Sequence, residues 1–288
     1  MKKQFYIFQL LLICCLMVSC EKDPSYDRGC YLFDNQVLEP ANNINGIHFI
    51  WTEENIPDNI KDVVGEILSS LVLVEGGTFV MGDNSFAESQ EHTVTVSDFY
   101  ISSIEVTQKQ WRVIMGDNES WNYNYGIDDH YPANFISFDQ AVLFIDKLNH
   151  YTGLSLRMPT EAEWEYAALG GKYSQGYDYS GSSNADEVAW CRDNSSGRMH
   201  PVASLAANEL GLYDMSGNVC EWCSDWYGDY VNESSANPSG PAMGEKRVVR
   251  GGGFTLGNEH ARSKARNCLK PLNQSLAVGL RLTMDVHR

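Results

Sequence analysis

Four stretches of the chain place apolar residues at helical spacing, and three of them open with the chemistry of a helix start. Ile56 to Leu71 repeats Ile, Val and Leu at intervals that gather them on one side, which predicts a short amphipathic helix. Thr107 with Gln110, Ser137 with Gln140 and Thr160 with Glu163 form capping boxes. In each, the hydroxyl and the Gln or Glu side chain satisfy backbone N–H groups that a first turn leaves unpaired. The first of these helices is predicted to stop at Gly116, the second to run through Asn149 to Gly153, and the third to close at Gly170-Gly171. Leu71 to Gly82 reads as two strands joined at Gly76-Gly77, and the alternation from His92 to Ser102 as one further strand. Beyond Gly171 the pattern dissolves into Gly, Ser, Asn and Tyr, and no internal repeat is visible.

The chain start changes this picture. Lys2 and Lys3 precede an apolar run from Phe5 to Val18, too short to span a bilayer. Leu16-Met-Val-Ser-Cys20 then looks like a bacterial lipobox. Residues 1–19 are expected to be a lipoprotein signal peptide, Cys20 the acylated residue, and residues 20–70 a tether carrying the short helix. Such a chain is expected at the cell envelope, lipid-anchored in the outer membrane.

The 288 residues suffice for one large domain or two small ones. A net charge of −17 without any Lys/Arg run argues against nucleic acid as a partner. Outside the signal, and besides Cys20, the cysteines are Cys30, Cys191, Cys220, Cys223 and Cys268, which permit two disulfides and one leftover thiol.

Candidate chemistry concentrates in Gly211-Leu-Tyr-Asp-Met-Ser-Gly-Asn-Val-Cys-Glu-Trp222. Asp214 and Glu221 flank a Gly-Asn turn, with the carbonyls of Gly217 and Val219 between them. Two carboxylates plus carbonyl oxygens suit a hard cation such as Ca²⁺; the alternative is a turn Asp and a buried Glu that accepts backbone N–H bonds. Glu161 and Glu163 read as helix-start acids rather than catalytic carboxylates.

This segment resembles the signature of the formylglycine-generating enzyme (sulfatase-modifying factor) domain family. Arg157-Met-Pro-Thr-Glu-Ala-Glu-Trp-Glu-Tyr-Ala167, Arg247-Val-Val-Arg-Gly-Gly-Gly-Phe254 and Gly279-Leu-Arg-Leu282 extend the resemblance over residues 71–288. It implies an α+β fold, a loop-rich variant of the C-type lectin fold with short twisted strands and about three main helices. It also implies a structural calcium at Asp214, Gly217, Val219 and Glu221. A second calcium is implied at Asn184 and Ala185, with Asp193 or Asn194 as a further ligand.

Active members of that family oxidise a sulfatase cysteine to formylglycine with O₂ and copper held as Cu(I) by two thiolates. Leu256 and Ala261 stand at the two copper positions. Neither side chain offers the soft donor that Cu(I) selects, so copper is not expected. Cys220-Glu-Trp-Cys223 has redox spacing but lies within the signature, which favours structural cysteines.

The segment that grips substrate peptide in the family carries Arg250, Phe254, His260, Arg262 and Arg266 here. These residues are expected to line a groove for an acidic peptide, a sulfated glycan or an envelope protein. The alternative is that Arg262 and Arg266 brace the loop against local carboxylates. Three functions follow as expectations: a non-oxidase binding or scaffold module, a sulfatase-maturing oxidase with another cysteine arrangement, or a displayed ligand-binder with a variable C-terminal loop.

Overall fold

The computed structural model describes residues 42–85, 87–230 and 233–286, together with the backbone of a small upstream pairing of Leu32–Phe33 with Gln36–Val37. The segment expected to be a signal peptide, Cys20 and Cys30 lie outside the described residues. Among the described residues, no helix is long and apolar enough to cross a membrane.

Four helices form where the sequence places them. Helix α1, Asp58–Ser70, buries Ile60, Val63, Val64, Ile67 and Leu68. Helices α2 (Gln108–Met115), α3 (Phe138–Thr152) and α4 (Glu161–Ala168) each carry the complete reciprocal capping box. Gly153 ends α3 with φ at 64°, a left-handed conformation that glycine adopts without a Cβ penalty. Replacing Ser137 with Ala is expected to cost about 1 kcal/mol, because the Gln140 N–H loses its acceptor. Urea denaturation reads this directly, and an unchanged midpoint would mean that the box does not form in solution.

The folded body begins upstream of Leu71. Helix α1 was assigned to the tether, yet its apolar face packs into the main core with Trp111, Phe144, Leu148 and Leu280. The hairpin Asn42–Ile44/Ile47–Phe49 adds Ile47 and Phe49 to the same cluster. The reason is geometric. Strand Leu71–Val74 follows α1 without a linker, so the helix cannot leave the sheet it feeds.

Two further expectations change. The two strands within 71–82 exist, but they belong to different sheets. Leu71–Val74 pairs with Phe99–Ser102, whereas Gly77–Met81 pairs with His92–Val96. At Gly76 an added Cβ would lie 2.3 Å from the Val96 carbonyl oxygen, so the crossing needs glycine. The stretch from His92 to Ser102 is two strands rather than one, broken between Val96 and Phe99 so that each half joins its own sheet.

Two four-stranded sheets position everything functional. One orders Leu71–Val74, Phe99–Ser102, Thr283–Asp285 and Leu156–Arg157, all antiparallel. The other orders Asn267–Leu269, Arg247–Arg250, Cys220–Trp226 and Val278–Gly279. Strand Cys220–Trp226 divides the interior. Cys220 and Trp222 point into the main core, while Cys223 points into a second core with Trp164, Tyr166 and Val248.

Candidate functional site

Between strand Cys220–Trp226 and helix α4 lie two layers of buried charge. The first is built on Glu221. Its Oε1 accepts from Arg281 Nη2 at 2.6 Å, and its Oε2 from Arg281 Nε at 2.6 Å and Trp164 Nε1 at 2.7 Å. Arg281 is fully buried and also donates to the carbonyls of Ser102 and Tyr213, both at 2.8 Å. Glu105 sits beside this pair, accepting from Val219 N at 3.1 Å and Asn218 Nδ2 at 2.8 Å. Asp214 Oδ2 accepts from Ala203 N at 2.7 Å.

Three buried carboxylates therefore face one guanidinium. Burial, reinforced by Asp214 and Glu221, pushes the Glu105 carboxyl well above its ordinary range. Burial likewise pushes Asp214 up to about 6, against the pull of the Ala203 N–H and Arg281. The turn that carries Gly217 and Asn218 takes positive φ at both residues. An added Cβ at Gly217 would lie 2.5 Å from Trp190 N, which explains the glycine.

The second layer is built on Glu161 and Glu165 of α4. Arg250 reaches Glu161 Oε1 at 3.3 Å, the Glu165 carboxylate, and the Ser263 carbonyl at 3.0 Å. Arg266 binds both oxygens of Glu161, at 2.7 and 2.8 Å, and lies 3.8 Å over the Tyr230 ring. Asp225 Oδ2 accepts from Glu161 N at 3.0 Å and Ser224 Oγ at 3.1 Å. A cavity of about 430 Å³ opens here, lined among others by Asp225, Trp226, Tyr230 and Arg266.

The expected groove is not assembled as read. Arg250 is 1% exposed and Phe254 0% exposed, so neither reaches a surface. Arg250 is held by the two glutamates of α4, and Phe254 packs with Met199, Val219 and Ala277. Arg262 reaches Asp83 at 3.5 Å, and His260 is exposed beside Glu259. The bracing reading therefore describes Arg262 and Arg266, and Arg266 also lines the cavity.

At the expected second metal site, Asn184 caps the turn Ala185–Val188 by accepting from Asp186 N, and its amide donates to Glu187. Asn194 is committed to Asp186, Ala189 and Cys191. Asp193 pairs with Arg192. Asn184 and Asn194 thus both contact Asp186.

Ala261 is fully buried beside Ala185, Ala189 and Cys191, and Leu256 packs against the main core. Cys191, Cys220, Cys223 and Cys268 are free thiols. Cys220, Cys223 and Cys191 belong to three different buried clusters, and Cys268 is half-buried on strand Asn267–Leu269. Cys220 and Cys223 are three residues apart on one strand, which places them on opposite faces. Burial pushes the Cys191 thiol up to about 11.

A family model described as "Sulfatase-modifying factor enzyme 1-like domain" matches residues 60–286. The chain belongs to this family. It is 35% identical to "Chaperone protein LppX" of Paenibacillus barcinonensis over 65% of this chain and 79% of that protein. It is 27% identical to the formylglycine-generating enzyme of Thermomonospora curvata, covering 76% of this chain and 95% of the enzyme. Serine/threonine-protein kinase Pkn1 of Chlamydia trachomatis also matches at 30% identity over 76% of this chain, which spans only 39% of the kinase. Among solved structures, Treponema denticola variable protein 1 superposes with a TM-score of 0.69 at 27% identity, covering 75% of this chain and 95% of the other. The α+β fold of the family is thereby shown, with the match beginning inside α1.

Within this sulfatase-modifying-factor domain, sequence reasoning passed over Glu105 and Arg281. Arg281 lies within Gly279-Leu-Arg-Leu282 and Glu105 outside every quoted motif, and nothing local shows that they converge on Glu221. The donors expected for calcium are hard oxygens, and the excess of buried negative charge around Asp214, Glu221 and Glu105 fits a divalent cation. Among the described residues no three His, Cys, Asp or Glu side chains converge closely enough to hold a metal by themselves, so the carbonyls of Gly217 and Val219 are needed. Arg281 already holds both oxygens of Glu221, so a cation bound there would share that carboxylate.

Proposed function

We propose that this sulfatase-modifying-factor domain is a binding module of the cell envelope, anchored through lipid on Cys20 and stabilised by calcium, without oxidase activity. The observation that carries the reading is at the copper positions. Leu256 and Ala261 supply no thiolate, and Ala261 is buried against Cys191 where a Cu(I) centre would need substrate access. Asp214 and Glu221 would supply carboxylate oxygens to the calcium, and Gly217 and Val219 carbonyl oxygens. Bound there, calcium neutralises buried charge and ties the 214–221 turn to the strand that follows. Two of the similar proteins carry the names of a chaperone and a variable protein, which supports binding as the task. The partner on this reading is a peptide, a glycan or another envelope protein.

A second reading, a sulfatase-maturing oxidase, draws on the similarity to the Thermomonospora curvata enzyme over 95% of that enzyme's length. One experiment separates the two. The reduced full chain is loaded with calcium, titrated with Cu(I) and incubated with a sulfatase cysteine peptide under air. Stoichiometric calcium, no thiolate-bound copper and no formylglycine are expected. Formylglycine production with bound copper overturns the proposal.

A further inference from the structure

The cavity beneath α4 has a floor, walls and a charge balance of its own. Its floor is Asp225, a carboxylate only 3% exposed. Oδ2 is satisfied by Glu161 N and Ser224 Oγ, whereas Oδ1 has no hydrogen-bond partner among the described residues. Met81, Ala162, Trp226 and Pro238 supply apolar wall, and exposed Asp229 and Glu233 add negative charge at the rim. The Tyr230 hydroxyl is buried without a partner.

Among the described residues, neither neighbouring arginine hydrogen-bonds or ion-pairs with Asp225, although Arg247, whose Nε is buried without a partner, feels its charge. Arg266 is committed to both oxygens of Glu161 and to the Tyr230 face. Arg247 stacks on Trp226 and Phe138 and donates to the Ser224 carbonyl. Burial first and Glu161 second push the Asp225 carboxyl up to about 7, as befits a carboxylate without an ion-pair contact among the described residues.

We propose that this cavity binds an aliphatic ammonium group, as carried by a free alkylamine or a lysine side chain, with Asp225 Oδ1 as its counter-ion. An anion is disfavoured by the carboxylates of Glu161, Asp225, Asp229 and Glu233 against one committed arginine. A bare divalent cation would leave the apolar walls unused, and among the described residues no three ligating side chains converge to hold one. A volume of about 430 Å³ lies within the usual range for small-ligand sites and admits a lysine-length stem. The net charge of −17 draws cations toward the surface from a distance. The inference stands on the cavity's geometry and not on the missing copper ligands, so a positive formylglycine assay leaves it intact.

The test titrates the full chain with n-butylammonium and Nα-acetyl-lysine methylamide, following the indole N–H resonance of Trp226. Nα-acetyl-norleucine methylamide and butyrate serve as neutral and anionic controls. Saturable shifts with the cations alone are expected; saturation by the lysine amide but not by butylammonium assigns the site to peptide side chains. Asp225→Asn is expected to weaken binding by about tenfold or more, while Asp229→Asn at the rim changes it by about twofold or less. Equal binding of the norleucine amide, no saturation by either cation, or full affinity in Asp225→Asn overturns the proposal. If Asp225→Asn fails to fold, the wild-type titration at Trp226 decides.

Discussion

Replacing Arg281 with Ala is expected to destabilise the protein by about 3–5 kcal/mol, the usual cost of stripping one partner from a buried ion pair. The guanidinium answers Glu221 through two bonds of 2.6 Å and is fully buried. Its loss leaves Glu221, Glu105 and Asp214 in the interior without their guanidinium, and leaves the Ser102 and Tyr213 carbonyls without these donors. The double variant Arg281→Met with Glu221→Gln is expected to recover much of the loss. Gln retains an acceptor for Trp164 Nε1, and the two buried charges vanish together. Urea denaturation of the three proteins measures both effects. A single variant that loses under about 1 kcal/mol would show that the carboxylates are already protonated in the folded state.

The second large effect is a pH dependence centred on Asp225. Its folded pKa is raised to about 7 from an ordinary value of 3.8, first by burial and then by Glu161. A raised carboxyl means that the folded state binds the proton more tightly than the unfolded state. The associated stability is complete below the unfolded pKa and is lost as pH rises through the folded one. At 1.36 kcal/mol per pKa unit, the loss between about pH 4 and pH 8 is on the order of 4 kcal/mol. Asp225→Asn keeps an acceptor for Glu161 N but cannot ionise. Its stability is expected to match the wild type near pH 4 and to exceed it by a few kcal/mol near pH 8. Glu105 and Asp214 are raised in the same sense, so the decisive quantity is the difference between variant and wild type. A constant difference across the range would mean that Asp225 already has a cation beside it.

What could be read in the sequence was local. Capping boxes and helical spacing are complete within a dozen residues, so all four helices stand where the pattern put them. Strand partners are not local. Nothing in Leu71 to Gly82 says that its halves diverge into two sheets, because that is decided by where Phe99–Ser102 and His92–Val96 lie. The alternation from His92 to Ser102 likewise continues across the break at Ser97-Asp98. Arg250 stands in the segment that the family resemblance assigns to the groove, and nothing around it in the sequence shows that it is buried. Its carboxylate partners Glu161 and Glu165 stand 89 and 85 residues upstream. The Asp214 and Glu221 region was found from its motif, but the arginine and the third carboxylate that set its charge come from distant strands and loops.

The placement of Thr283–Asp285 between Phe99–Ser102 and Leu156–Arg157 has a consequence for synthesis. During synthesis Phe99–Ser102 keeps one edge unpaired until Thr283–Asp285, more than 180 residues further on, has been made. Contacts spanning most of the sequence slow folding, and an open edge invites pairing with another chain. A truncation that removes the last strand should produce an aggregating species rather than a smaller folded one.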